Sequence, residues 1–285
     1  MPELPEVETI RRQLEPELQE RRIERLEVLD ARWTRPIEPR LVEDEVRGRT
    51  IGSLRRRGKY LLLELDGDLT LVMHLRMTGN LLLVDGGGLV AVVDEDGFRA
   101  AEDPYLRARF LLDDGRELRF SDARRFGEAF VLPTDRVEER FAGRVGIEPL
   151  SDEFTADAIE RIAAGRRAPL KSFLLDQGGI AGVGNIYADE ALWWARIHPL
   201  RPAASLEHAE LRALVRGVRK SLTHGIARQG ATLRDYRGAD GRRGSMQREF
   251  RVYGRLGEPC TRCGTPIEKT RAGGRGSWYC PNCQV

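Results

Sequence analysis

Two small groups of residues in this chain have the types and spacing to do chemistry. The first is four cysteines, arranged as Cys260-x2-Cys263, sixteen intervening residues, then Cys280-x2-Cys283. Two such knuckles close one tetrahedral thiolate site, the spacing of a zinc ribbon. Four thiolates leave no coordination position open for water, so the expected metal is one structural Zn2+ per chain. Disulfides are the competing use, but residues 1–20 lack the apolar stretch of a secretion signal, which favours a reducing compartment. Between the cysteine pairs stand Lys269, Arg271 and Arg275, with Trp278 and Tyr279 alongside. Basic side chains on a metal-stapled hairpin suit a phosphate backbone; incidental surface charge is the plainer alternative.

The second group opens the chain, Met1-Pro2-Glu3-Leu4-Pro5-Glu6. Proline at the second position permits removal of the initiator methionine, which exposes Pro2 as a secondary amine. Such an amine attacks an electrophilic carbon and yields an iminium. Glu3 and Glu6 stand close enough in sequence to move protons for it. Taken alone, though, two acids opening a helix are better explained as complements to its dipole.

Both groups need elements to position them. Residues 5–15 read as a short amphipathic helix: Pro5 suits the first turn, Val7, Ile10 and Leu14 recur at helical spacing, and Pro16 is expected to end it. From residue 23 to residue 133 the pattern turns to short β-rich runs parted by Gly and Asp. The runs are 60–65, 70–75, 80–84, 89–93, 109–112 and 117–120, as in a sandwich or barrel. From residue 151 the pattern is helical, with helices expected at 155–164, 170–176, 186–196 and 206–229. Residues 230–246 are expected to be a mobile loop. A hairpin from residue 248 onward is expected to lead into the cysteines.

Composition narrows the class. The chain is 41% hydrophobic and 32% charged, which is globular rather than disordered. No apolar run reaches the length of a membrane span. The net charge of +2 conceals an asymmetry: residues 211–285 hold 16 Lys and Arg against 5 Asp and Glu, while residues 1–210 hold 31 against 40. A basic C-terminal quarter with few acids to neutralise it points to a polyanion partner.

Read together, the segments resemble one family. Pro-Glu-Leu-Pro-Glu-Val-Glu at 2–8 resembles the opening of the formamidopyrimidine-DNA glycosylases. So do Arg57-Gly58-Lys59-Tyr60-Leu61-Leu62, His74-Leu75-Arg76-Met77-Thr78-Gly79 and Asp122-Ala123-Arg124-Arg125-Phe126-Gly127. The run from Gly182 to Glu190 looks like that family's helix–two-turn–helix element, and Val252-Tyr253-Gly254-Arg255 with the closing zinc finger completes the order. Leu4 is similar to the purine-specific branch; the related endonuclease VIII branch, which acts on oxidised pyrimidines, typically has glycine there.

The resemblance implies an α+β fold. Its parts would be a catalytic β-sandwich domain with an N-terminal helix at 1–133, a linker at 134–150 and a helix–two-turn–helix domain at 151–229. A lesion-capping loop at 230–247 and a zinc finger at 248–285 would follow, with DNA held between two lobes. It implies a bifunctional DNA glycosylase and abasic-site lyase that flips out oxidised purines such as 8-oxoguanine, at a cost of about a few kcal/mol for unstacking. Pro2 would attack the sugar C1′, Glu3 would protonate the ring oxygen, Glu6 would be a supporting acid and Lys59 would contact phosphate and donate a proton. Arg275 would clamp a phosphate and give a proton in the second elimination. Met77, Arg124 and Phe126 would fill the vacated space in the duplex. Asn185, Arg167 and Lys171 would contact phosphates, Asn185 at a helix start where N-capping is its ordinary use.

One departure is visible. The family's His-x-His before the fifth strand is replaced by Tyr105 and Arg107, either of which could still bond a phosphate, with Tyr105 the expected DNA contact, and the Gly-rich stretch 85–104 is longer than usual. The partner implied is damaged double-stranded DNA, bound by a monomer in the bacterial cytoplasm at the nucleoid. The competing class is a catalytically silent DNA-binding protein, against which Pro2, Glu3 and Lys59 are all present.

Overall fold

The computed structural model describes residues 2–85 and 103–285. The chain divides into two compact units. One comprises Glu6–Phe141 with Pro2 and Gln229–Gly244; the other comprises Glu3–Pro5, Ala142–Arg228 and Ser245–Val285.

The first unit is built on α1 (Leu4–Leu18) and two antiparallel sheets. Val7, Ile10, Leu14 and Leu18 are all fully buried, the three-and-four spacing of a helix with one apolar face. The helix does not stop at Pro16, as the sequence suggests, but carries it inside its last turn. A proline there removes one bond near the end, a cost of about 3 kcal/mol. Burying Leu18 returns about 1.5–3 kcal/mol of that.

One sheet has the order β2-β3-β4-β8, from Ile51–Arg57, Tyr60–Leu65, Leu69–His74 and Glu128–Pro133. The other has the order β1-β6-β7-β5, from Ile23–Val28, Leu106–Leu112, Glu117–Asp122 and Gly79–Val84. Alternating apolar residues of both sheets, including Leu61, Leu63, Leu71, Met73, Phe110 and Phe120, share one core with α1 and Trp33. A short helix, α2 (Pro39–Val46), buries Val42 and Val46 in it, and α3 (Val137–Phe141) closes the unit's main segment. The run expected at 89–93, and most of the Gly-rich stretch, lie outside the described residues.

The stretch 229–244 folds with this unit. It covers most of the loop expected at 230–246, and Tyr236 and Ala239 belong to the sandwich core. Asn80 donates to the Asp235 carbonyl and accepts from Arg237 N, and Gln13 accepts from Ala239 N.

The second unit is helical, with α4 (Ala156–Ala163), α5 (Leu170–Leu175), α6 (Asn185–Ala195) and α7 (His208–Ala227). Thr155 caps α4 by accepting from Ala158 N, and Glu207 with Glu210 forms a capping box on α7. The hairpin is a single antiparallel pair, β9 (Glu268–Ala272) and β10 (Arg275–Tyr279), so it begins well after residue 248. Together the sandwich, helical module and zinc hairpin make the α+β fold expected. Among the described residues no helix is long and apolar enough to cross a membrane.

Candidate active site

In the first unit one carboxylate organises two loops. Asp122, at the end of β7 and 1% exposed, accepts from the backbone N–H of Arg124, Phe126 and Gly127 at 3.1, 2.8 and 2.7 Å. It also accepts from the Thr78 hydroxyl, which in turn accepts from Arg124 N. The segment after β4 is thereby locked to the segment after β7. Met77, Arg124 and Phe126 are brought together and left exposed, with the Arg124 guanidinium 4.8 Å from the Phe126 ring centre. An apolar pair and a cation standing out from a braced surface are unlike core residues.

Around this surface other charges are committed. Arg125 is paired with Asp30, holding that carboxyl below the usual range, and Arg107 donates to the Asp122 carbonyl at 2.9 Å. Tyr105, by contrast, exposes half its side chain. Lys59 is buried in the turn between β2 and β3. Near it His74 accepts from Arg76 N through Nδ1. Burial, with the positive charges of Arg76 and Lys59, pushes the His74 imidazole down to about 3, so it is neutral.

Glu6 is fully buried and accepts from Ala231 N at 2.7 Å. Its place is therefore a tie to the 229–244 segment as much as an acid. Pro2 is buried, ahead of α1.

The second unit holds Glu3. Its carboxylate accepts from Ile186 N at 3.0 Å and Tyr187 N at 3.4 Å, capping the N-terminus of α6, where negative charge is favoured. Asn185, for which capping is the ordinary use, is the first helical residue and makes no capping bond; its side chain bonds the Tyr253 hydroxyl instead. Close approach requires glycine here. A Cβ on Gly184 would overlap the Glu3 carboxylate, and one on Gly182, at φ +78°, would overlap Leu4.

Of the other expected phosphate contacts, Arg167 and Arg275 are exposed. Lys171 is a correction. It has no exposed surface, and its ammonium donates to Asp189 at 2.8 Å and to the Gly276 carbonyl at 2.6 Å. Two of its three N–H donors are taken, and with no exposed surface the third does not face solvent in this placement. Two acids with no role evident from their motifs also emerge. Asp189 receives Lys171, Ser277 Oγ and Trp278 N, and Glu190 receives the backbone N–H groups of Arg251, Val252 and Tyr253. A signal for them exists: Asp-Glu in the middle of Ile-Tyr-Ala-Asp-Glu-Ala-Leu-Trp-Trp puts two acids in a nearly all-apolar helix, which demands partners.

The cysteines fit zinc. Their four sulfurs lie within 4.8 Å of one another, and Cys263 and Cys280 are 3.5 Å apart. A tetrahedron of ~2.3 Å zinc–sulfur bonds has edges of about 3.8 Å. Trp193 Nε1 donates to Cys260 Sγ, and burial pushes the Cys280 thiol up to about 12, so a dication is what would hold it as thiolate at neutral pH. The cysteines bind one structural zinc ion.

A β-sandwich with an N-terminal helix, a helical module and a zinc hairpin define a class of DNA-repair glycosylases. Residues 1–129 match the formamidopyrimidine-DNA glycosylase N-terminal domain, 145–237 its H2TH domain, and 257–285 the zinc finger found in FPG and IleRS. The formamidopyrimidine-DNA glycosylase of Chloroflexus aggregans is 45% identical over 287 residues, covering 100% of this chain and 99% of that protein. That of Moorella thermoacetica is 46% identical, covering 95% of each. A Lactococcus lactis Fpg in complex with abasic-site DNA superposes with a TM-score of 0.89 at 33% identity, covering 99% of each chain. The chain belongs to the formamidopyrimidine-DNA glycosylase family, base-excision repair enzymes that are also abasic-site lyases.

Proposed function

We propose that this chain excises oxidised purines, 8-oxoguanine and formamidopyrimidines, from duplex DNA and then cuts the strand through a Pro2 iminium. The observation that carries the reading is the Glu3 carboxylate, buried and fixed on the α6 N-terminus one residue after Pro2. The Lactococcus lactis relatives bound to Fapy-dG and abasic-site DNA supply the substrate class.

The chemistry follows from an unprotonated secondary amine. The Pro2 nitrogen bonds C1′ while the C1′–base bond breaks; the base leaves with the electron pair and takes up the proton that the nitrogen sheds, which restores the nitrogen lone pair. The C1′–O4′ bond then opens, O4′ takes the proton from Glu3, and the nitrogen lone pair makes the C1′ iminium. Loss of a C2′ proton expels the 3′ phosphate, and loss of a C4′ proton expels the 5′ phosphate. An α-amine has a pKa of about 8, so a useful fraction is free base near neutral pH, unlike a typical lysine. Lys59 and Asn185 would hold phosphates, Arg275 would serve the second elimination, and Met77, Arg124 and Phe126 would occupy the gap left by the flipped base. Arg167 and Tyr105, both exposed, would add phosphate contacts.

Borohydride reduction during reaction with an 8-oxoguanine duplex should leave a covalent protein–DNA adduct at the N-terminal residue. Pro2→Gly should lose most strand cleavage, and Glu3→Gln should bind lesion DNA yet barely release the base. Normal trapping by an N-terminally blocked protein would shift the nucleophile to another residue, Lys59 first.

A further inference from the structure

The hairpin that carries Arg275 is fastened to the helical module by a buried charge pair. Asp189 lies mid-way along α6 and Lys171 in the first turn of α5, and neither side chain has any exposed surface. Around them three consecutive residues of β10 are held: the Gly276 carbonyl by Lys171 Nζ at 2.6 Å, the Ser277 hydroxyl by Asp189 at 2.7 Å, and Trp278 N by Asp189 at 3.1 Å. The turn before β10 is close-packed as well, since a Cβ on Gly273 would overlap the Ser172 hydroxyl of α5. The next residue toward the turn from this anchored run is Arg275, which is exposed.

We propose that Lys171 and Asp189 are positioning residues for Arg275, and that through it they govern the second elimination and one phosphate contact. This rests on the function proposed above for Arg275. A hairpin of two five-residue strands has little core of its own, and its exposed arginine reaches a fixed point only if the strand beneath is fixed. The pair does that by bonding backbone and side chain on one strand from two different helices. Lys171 thus acts on DNA through β10 rather than by touching a phosphate. A buried ammonium and carboxylate are a demanding device, since losing one leaves the other unpaired; their bonds to β10 give a reason for them.

The test uses the full-length, zinc-loaded chain. On an abasic-site duplex, Asp189→Asn should keep one zinc per chain and trap with borohydride within about twofold of the parent. The ratio of second- to first-elimination product should fall about tenfold, as in Arg275→Ala, with no further fall in the double variant. Ser277→Ala, which removes one bond and no charge, should shift the ratio in the same direction by less, and serves if Asp189→Asn does not fold. A binding measurement needs no catalysis: on a duplex carrying a tetrahydrofuran abasic analogue, Asp189→Asn and Arg275→Ala should each make the salt dependence shallower by about one unit. A parental product ratio and salt slope in folded Asp189→Asn or Ser277→Ala would overturn the proposal, as would a further loss in the double variant. Absence of any trapping by the parent chain would instead count against the Pro2 reading, leaving the salt slopes to decide this one.

Discussion

Two buried aspartates organise the two units by different means. Asp122 collects neutral donors, three backbone N–H groups and a hydroxyl, and fixes loops whose other side is exposed. Asp189 collects a lysine ammonium as well as a hydroxyl and an N–H, with both charges wholly enclosed. Burial pushes the Asp189 carboxyl up to about 6 against the pull of Lys171, and it lowers the Lys171 ammonium in turn. The lesson is one of tolerance. If Asp122 is lost, its donors lie close to loops that water can enter; if Asp189 is lost, an ammonium is stranded where no water replaces the partner.

That contrast sets the order of expected effects. Asp189→Ala should cost about 3–5 kcal/mol of unfolding free energy, as measured by denaturant titration. The paired change Lys171→Met with Asp189→Leu should recover most of it, because no charge remains unpaired. If the single variant cost no more than a surface substitution, the two aspartates would not differ as argued.

Asp122→Ala should cost less, about 1–3 kcal/mol, because N–H groups rather than a charge lose their acceptor. Zinc content should be unaltered. A cost above that of Asp189→Ala would reverse the comparison.

His74 sharpens it from a third direction, since here the charges acting on the buried group, Arg76 and Lys59, are of the same sign as its own charged form. Above a pH of about 6.5 the imidazole is neutral in both folded and unfolded chains. Below that, the unfolded chain takes a proton that the folded one, with its group at about 3, refuses. Stability should therefore fall as the pH drops, by up to ~1.4 kcal/mol per unit between 6.5 and 3. In His74→Gln that dependence should flatten, as read from the unfolding temperature across pH 4–7. An unchanged slope would place the acid sensitivity elsewhere.

The smallest effect belongs to an exposed charge. Arg275→Ala should leave the unfolding free energy within about 0.5 kcal/mol of the parent, as for surface positions in general. Its consequence should appear only on DNA, as the shallower salt dependence described above.

How much of the molecule is legible from sequence varies by residue for identifiable reasons. The cysteine ligands, the apolar stripe of α1 and the strand at 60–65 follow from local spacing alone, and all three stand where the sequence puts them. The strands at 51–57 and 128–133 do not stand out, because Ile-Gly-Ser-Leu-Arg-Arg-Arg and Glu-Ala-Phe-Val-Leu-Pro show only part of an alternating pattern; their neighbours β3 and β4 complete them. The 229–244 segment reads as mobile from its Gly, Arg and Asp content. What anchors it are Asn80, Gln13 and Glu6, about 150 to 230 residues away in sequence.

The sequence by itself determined the family, the metal ligands and the residue types at the N-terminus, because those depend on short motifs and their order. Only the tertiary structure decided what each charge is used for. Arg124 and Lys171 are both basic residues expected to meet DNA, yet one stands exposed over Phe126 and the other is enclosed with Asp189. Whether a cation faces solvent or a buried carboxylate depends on partners brought in from distant segments. Desolvation and pairing energies are set by those partners, and no local pattern encodes them.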